Sequence, residues 1–158
     1  MSTGSRLLGV DYGTVRIGLA VSDPDRMIAS PLTTYRRRGR EPDAGYFRQT
    51  VERQGIGQVI VGLPVHLDGR VGQKALEARA FGVWLGEVTG LPVVFWDERF
   101  SSVEAEGLLR SAGLTNKRRR GRRDRVAAQI LLQSYLEAGC PGEQAPGALQ
   151  EDPGRYED

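Results

Sequence analysis

Leu7-Leu8-Gly9-Val10-Asp11-Tyr12-Gly13-Thr14-Val15-Arg16-Ile17-Gly18-Leu19-Ala20-Val21 sets one acid between two apolar runs. The flanks read as two strands joined by a tight turn at Thr14, Val15 and Arg16. Such a hairpin places Asp11 near the middle of a sheet. A carboxylate there is costly unless it is paired, hydrogen-bonded or bound to a metal. Alone, Asp11 would read as an acid satisfied by backbone amides in a turn, but two further acids sit at the edges of apolar elements.

Working outward, Pro92-Val93-Val94-Phe95-Trp96 is a short apolar run that reads as a buried strand and ends in Asp97-Glu98-Arg99. Asp124 opens a segment in which Val126, Ile130, Leu131 and Tyr135 recur at helical spacing. Asp124 is therefore expected in the first turn of a helix, where an acid also serves to offset the helix dipole. Three acids from a central strand, a strand end and a helix start are able to converge on hard cations such as Mg²⁺ or Mn²⁺. Two such ions roughly 3.5–4 Å apart clamp the attacking and leaving oxygens of a phosphodiester displacement.

A protein using that chemistry needs cations for the phosphate backbone. Lys117-Arg118-Arg119-Arg120-Gly121-Arg122-Arg123 supplies six basic residues in seven. Arg36-Arg37-Arg38 with Arg40 forms a second cluster. A charge run by itself is ordinarily a solvated loop. A run this dense repels itself and is better explained if a polyanion supplies the countercharge. The stretch before Asp124 is expected to be a basic loop hinged at the acidic site.

The 158 residues suit one domain with a sizeable core. Net charge is +2, but the segment from Pro141 onward carries five acids against one base, leaving the preceding body at +6. That tail is rich in Pro and Gly and is expected to be disordered. One cysteine, Cys140, excludes an internal disulfide, and with the single histidine, His66, argues against a His/Cys zinc site. No apolar run approaches membrane-spanning length, so a cytoplasmic setting is expected.

A third strand is expected at about 28–35, with Pro31 suggesting an edge position. Asp43 is expected to cap a helix that carries Phe47 and Val51 to the core. A strand through Val59-Ile60-Val61, a loop from Gly62 to Gly69 and a helix near 73–88 follow, and Ser101 to Glu104 resembles a capping box opening a helix through Leu109. Consecutive strands with short links pair antiparallel, and strands joined through helices become parallel. The expected fold is α/β: a mixed five-stranded sheet, three antiparallel then two parallel strands, with helices on both faces.

Four segments together resemble the YqgF family, also called the RuvX or Holliday-junction-resolvase-like family, of the ribonuclease H-like superfamily. They are Gly9 to Asp23, Ile60 to Gly69, Trp96 to Ser102 with Ala105, and Asp124 to Ala128 with Leu131 to Leu136. The resemblance implies an RNase H-like domain over 1–139, followed by the 140–158 tail. It further implies a divalent-metal-dependent nuclease acting on structured nucleic acid, either in 5′-end processing of precursor 16S ribosomal RNA or in resolving branched DNA. Asp11, Glu98 and Asp124 match the family's acidic triad, as catalytic and metal-binding residues using Mg²⁺ or Mn²⁺. Thr14, Arg16 and Arg99 are candidate phosphate contacts, together with Lys117, Arg118, Arg119, Arg120, Arg122 and Arg123. His66 stands where family sequences often have asparagine, and the basic stretch is unusually rich in arginine. A monomer or homodimer is expected, with no membrane partner. Two alternatives remain: an actin-like ATP-binding lobe, whose phosphate loop also has an Asp-x-Gly-Thr hairpin, and a non-catalytic nucleic-acid-binding module.

Overall fold

A computed structural model describes residues 5–64, 72–97 and 116–142. The hairpin forms as expected: β1 (Arg6–Asp11) and β2 (Arg16–Ser22) pair antiparallel, and β3 (Ala29–Arg36) adds antiparallel to β2. Arg16 belongs to β2 rather than to the turn. Helix α1 (Arg40–Gln54), β4 (Ile56–Leu63), α2 (Gln73–Thr89) and β5 (Val93–Asp97) follow, and α3 (Asn116–Glu137) closes the described part. Strand order is β3-β2-β1-β4-β5, with β4 parallel to both β1 and β5. β3 is an edge strand, where Pro31 loses no ladder partner on its open side.

The period-2 alternation of the strands divides the core into two layers. Leu8, Val10, Ile17, Leu19, Val59, Val61 and Phe95 pack with Phe47 of α1 and with Ala75, Ala78, Phe81 and Leu85 of α2. Leu7, Ala20, Ile60, Val94 and Trp96 face the other way, toward Ala128, Leu131, Leu132 and Tyr135 of α3. Residues on that second face are small near β1 and β2, which lets α3 lie close. A Cβ on Gly9 would stand 2.9 Å from the Leu132 Cβ and 3.1 Å from the Ala128 carbonyl oxygen. Farther along α3, the Gln133 side chain accepts from the Ala29 amide at 2.8 Å and donates to the Met27 carbonyl at 3.1 Å. The Trp96 ring meets Tyr135 edge-on at 5.4 Å.

Two further local expectations change. Asp43 does not cap α1; Gly39 occupies that position, and Asp43 lies in the first turn, fully buried. Its carboxylate accepts from the Tyr35 hydroxyl, from the Arg38 amide at 2.9 Å and from Arg37 Nε at 3.3 Å. The acid therefore ties the β3–α1 connection together instead of satisfying the helix's own amides. Asp124 is not in a first turn either, because α3 begins at Asn116 and the Lys117–Arg123 stretch is helical rather than a loop. Lysine and arginine are good helix formers, and a helix can extend past the sheet without an apolar face. The loop through His66, the segment Glu98–Arg99, the helix expected at Ser101–Leu109 and the tail beyond Gly142 lie outside the described residues.

Candidate functional site

β1, β4 and β5 run parallel, so their carboxyl ends share one edge of the sheet, where ligands of open α/β sheets ordinarily bind. Asp11 ends β1 there, Leu63 ends β4 and Asp97 ends β5. Asp11 stands directly opposite Gly18 across the antiparallel pair. Directly opposed residues project from the same face. A Cβ on Gly18 would lie 1.8 Å from the Asp124 main-chain oxygen, so the backbone of α3 rests on β2 at that point. Register and close approach together bring Asp11 and Asp124 to one face, over 113 residues of sequence separation.

Asp124, Ala128 and Leu132 recur at four-residue spacing and form the stripe of α3 that meets the sheet. The last two pack on Gly9, and this fixes the rotation of the helix and therefore the direction of Asp124. Its carboxylate Oδ2 accepts from Arg16 Nε at 2.8 Å, with both side chains partly exposed. A charge-assisted bond of this length orients the carboxylate, while its second oxygen keeps acceptor capacity. Gly13 makes the intervening turn possible, because a Cβ there would sit 2.2 Å from the Arg16 carbonyl oxygen.

Around this pair lies a cavity of about 300 Å³ lined by Tyr12, Gly13, Thr14, Val15, Arg16, Pro64, Lys74, Glu77 and Asp124. Thr14 and Arg16 were both expected from the sequence. Lys74 and Glu77 were not, because on a helix dominated by its apolar face they read as ordinary solvated charges. Only the placement of the start of α2 beside the β1–β2 turn brings them in. Asp97 is almost fully buried, and alternation puts it with Phe95 on the α1/α2 side, away from Asp11 and Asp124. Glu98 and Arg99 lie outside the described residues, as do the side chains of Lys117, Arg118, Arg119, Arg120, Arg122 and Arg123. Among the described residues no group of three potential metal ligands is present.

Of the second basic cluster, Arg37 has a packing role. Its guanidinium lies 5.6 Å from the Tyr12 ring centre and 5.3 Å from that of Phe81, and it donates to the Tyr12 hydroxyl at 3.3 Å. Its Nε pairs with buried Asp43. Arg36, Arg38 and Arg40 are exposed. Burial pushes the Asp43 carboxyl up, but the hydrogen bonds from Tyr35, Arg38 and Arg37 outweigh it and leave the group below its ordinary value of 3.8. Burial, reinforced by Asp43, pushes the Tyr35 hydroxyl up to about 12.

The solved structures most like this chain include Thermus thermophilus RuvC in complex with Holliday junction substrate, at a TM-score of 0.50. It is 15% identical, and the match covers 86% of this chain and 96% of RuvC. Fowlpox virus resolvase with Holliday junction DNA matches at a TM-score of 0.53 and 13% identity, over 86% and 99% of the two chains. Identities this low speak for the RNase H-like fold alone. In sequence, a protein of Rhodopirellula baltica named "Putative pre-16S rRNA nuclease" is 48% identical over 84% of this chain and 77% of its own length. A protein of the same name from Koribacter versatilis is 42% identical over 84% and 86%. The family model described as "RuvX: Holliday junction resolvase" matches residues 5–138, and with these relatives it establishes that the chain belongs to the RuvX family.

Proposed function

We propose that this protein is a divalent-metal-dependent nuclease that hydrolyses phosphodiester bonds in structured nucleic acid, with Asp11, Glu98 and Asp124 as its acidic set. The carrying observation is the convergence of Asp11 and Asp124 on one face at the carboxyl edge of the sheet, enforced by the Asp11–Gly18 register and the seating of α3 on Gly18. Asp97 faces the opposite layer, which leaves the next acid in the chain, Glu98, as the third member matched by the family motif. The names of the relatives favour precursor 16S ribosomal RNA as substrate, and the family resemblance points to processing at its 5′ end. Branched DNA is a second reading, favoured by the description of the matching family model as a Holliday junction resolvase.

The donor set suits Mg²⁺ or Mn²⁺: carboxylates, one of them Asp124 on a cavity with no thiol or imidazole among its lining residues. A bound divalent ion supplies Lewis acidity and lowers the pKa of a coordinated water. The chain's own groups do the rest. Asp11 and Asp124 would be ligands, and Arg16 keeps the Asp124 carboxylate oriented through its 2.8 Å bond. Thr14 and Lys74 line the cavity as a hydroxyl and an ammonium able to hold phosphate oxygens. The basic first two turns of α3 lead directly to Asp124 and would carry the strand toward it.

Neither alternative fits as well. An actin-like lobe works with a second lobe across the nucleotide, whereas the family match takes up residues 5–138. Among the described residues no helix is long and apolar enough to cross a membrane. The deciding experiment is side-by-side cleavage of structured RNA, linear DNA and four-way junction DNA with Mg²⁺ and Mn²⁺. Wild type is expected to cut only with metal, and Asp11→Asn and Glu98→Gln to fold but not cut. Undiminished cutting by Asp11→Asn would overturn the acidic set. Metal-independent binding with no cutting of any substrate would make the protein a non-catalytic binding module.

A further inference from the structure

On the α1/α2 side of Tyr12 a second cavity, of about 490 Å³, opens beside the first and shares Tyr12 and Glu77 with it. Its floor is a continuous aromatic run: Tyr12 meets Phe81 at 5.0 Å between ring centres, and Phe81 meets Trp84 at 5.4 Å. Phe81 is buried, while Tyr12 and Trp84 are only half-buried. The Arg37 guanidinium lies over the first two rings, and exposed Arg40 stands at the rim. Glu87 lines the same cavity near Trp84.

We infer that this groove is a subsite for one unpaired nucleotide adjoining the cleavage cavity: its base stacks on Trp84 and Tyr12, and its phosphate faces Arg40. Three observations meet in it. Partly exposed aromatic faces next to guanidinium groups are the combination by which proteins hold single-stranded nucleic acid, since every base has a π-face. Glu87 at the Trp84 end repels phosphate and accepts from base amino groups, so that end is chemically distinct from the rim at Arg40. The shared wall at Tyr12 and Glu77 places the groove one step along a strand that enters the first cavity. A base stacked inside a duplex cannot present its face to Trp84, so the subsite selects substrates with a single-stranded segment beside the cleaved bond. The inference rests on the nucleic-acid reading of the first cavity and specifies its substrate.

Tryptophan fluorescence tests it without any cleavage. The chain has two tryptophans, and Trp96 is 3% exposed with its indole donating to Ser134, so quenching by a bound base reports Trp84. Titrations in EDTA would compare single-stranded RNA, blunt duplex of the same sequence and inorganic polyphosphate. Expected are quenching by the single strand alone, loss of that quenching in Trp84→Leu with about tenfold weaker binding, and a salt slope reduced by about 1 in Arg40→Ala. Arg40 is exposed, so its variant keeps the fold even if Trp84→Leu does not. Equal quenching by duplex or polyphosphate, or no quenching by the single strand, overturns the subsite. These results are independent of whether Asp11→Asn abolishes cutting, so failure of the nuclease reading and failure of the subsite are told apart.

Discussion

Replacing Gly18 with alanine tests the geometry on which the site depends. The new methyl would lie 1.8 Å from the Asp124 main-chain oxygen and 2.2 Å from its carbonyl carbon, and neither atom belongs to a side chain that can rotate away. Carbon approaches under 3.0 Å are essentially never tolerated, so strand and helix must separate by at least about 1.2 Å at this point. The other half of α3 is held by the Gln133–Ala29 and Gln133–Met27 hydrogen bonds and by Leu132 on Gly9, so the displacement concentrates at Asp124. Overpacking of this kind costs about 2–3 kcal/mol, which lowers the melting temperature by roughly 5–10 °C in a chain this size. With Asp124 in its proposed role as a metal ligand, a shift of about 1 Å would cost about 10²-fold in rate. Gly9→Ala is the control, since it meets the same helix on the same face but needs a shift of only a few tenths of an ångström. Cleavage would be measured at a temperature where near-ultraviolet circular dichroism shows both variants folded. Gly18→Ala should then lose activity about a hundredfold and Gly9→Ala much less. Equal losses, or wild-type cutting by Gly18→Ala, would refute the claim that seating α3 on Gly18 positions Asp124.

Arg16→Ala removes the partner that orients Asp124 and should slow cleavage, with Arg16→Lys recovering only part because lysine lacks the fixed Nε geometry; kcat on one substrate decides it. Asp43→Asn should cost about 3 kcal/mol in urea unfolding, since it leaves Arg37 without its buried countercharge. The same carboxyl gives a pH signature. Its folded value lies below 3.8, so its contribution to stability is fully present above that pH and is lost as pH falls through the lowered folded value; Asp43→Asn should flatten that acid limb of the stability curve. Replacing Arg118, Arg119 and Arg120 with alanine should weaken nucleic-acid binding and lower its salt slope by about 1 for each phosphate the variant no longer neutralises; an unchanged slope would leave the stretch as solvated helix.

The strands and their pairing senses were legible in the sequence because each strand carries its own local signal. Apolar runs bounded by Gly and Pro mark β1, β2, β4 and β5, and the spacing between them sets antiparallel or parallel pairing. Helix ends were less legible. A basic stretch without apolar residues gives no periodicity, so the first two turns of α3 read as a loop, although arginine favours helix. Asp43 read as a cap because acids near helix starts usually are caps, and nothing local reveals that Tyr35 and Arg37 turn toward it.

Composition and motif order determined the fold class, the family resemblance and the identity of Asp11 and Asp124 as candidate partners, since each follows from residue type and local spacing. Tertiary structure decided that these two acids share a face, through one cross-strand register and one glycine that admits a helix backbone. It also decided that Lys74, Glu77 and the Tyr12–Phe81–Trp84 run border the same edge of the sheet. Those relations join residues far apart along the chain, and packing of strands and helices, not sequence spacing, sets distances at that separation.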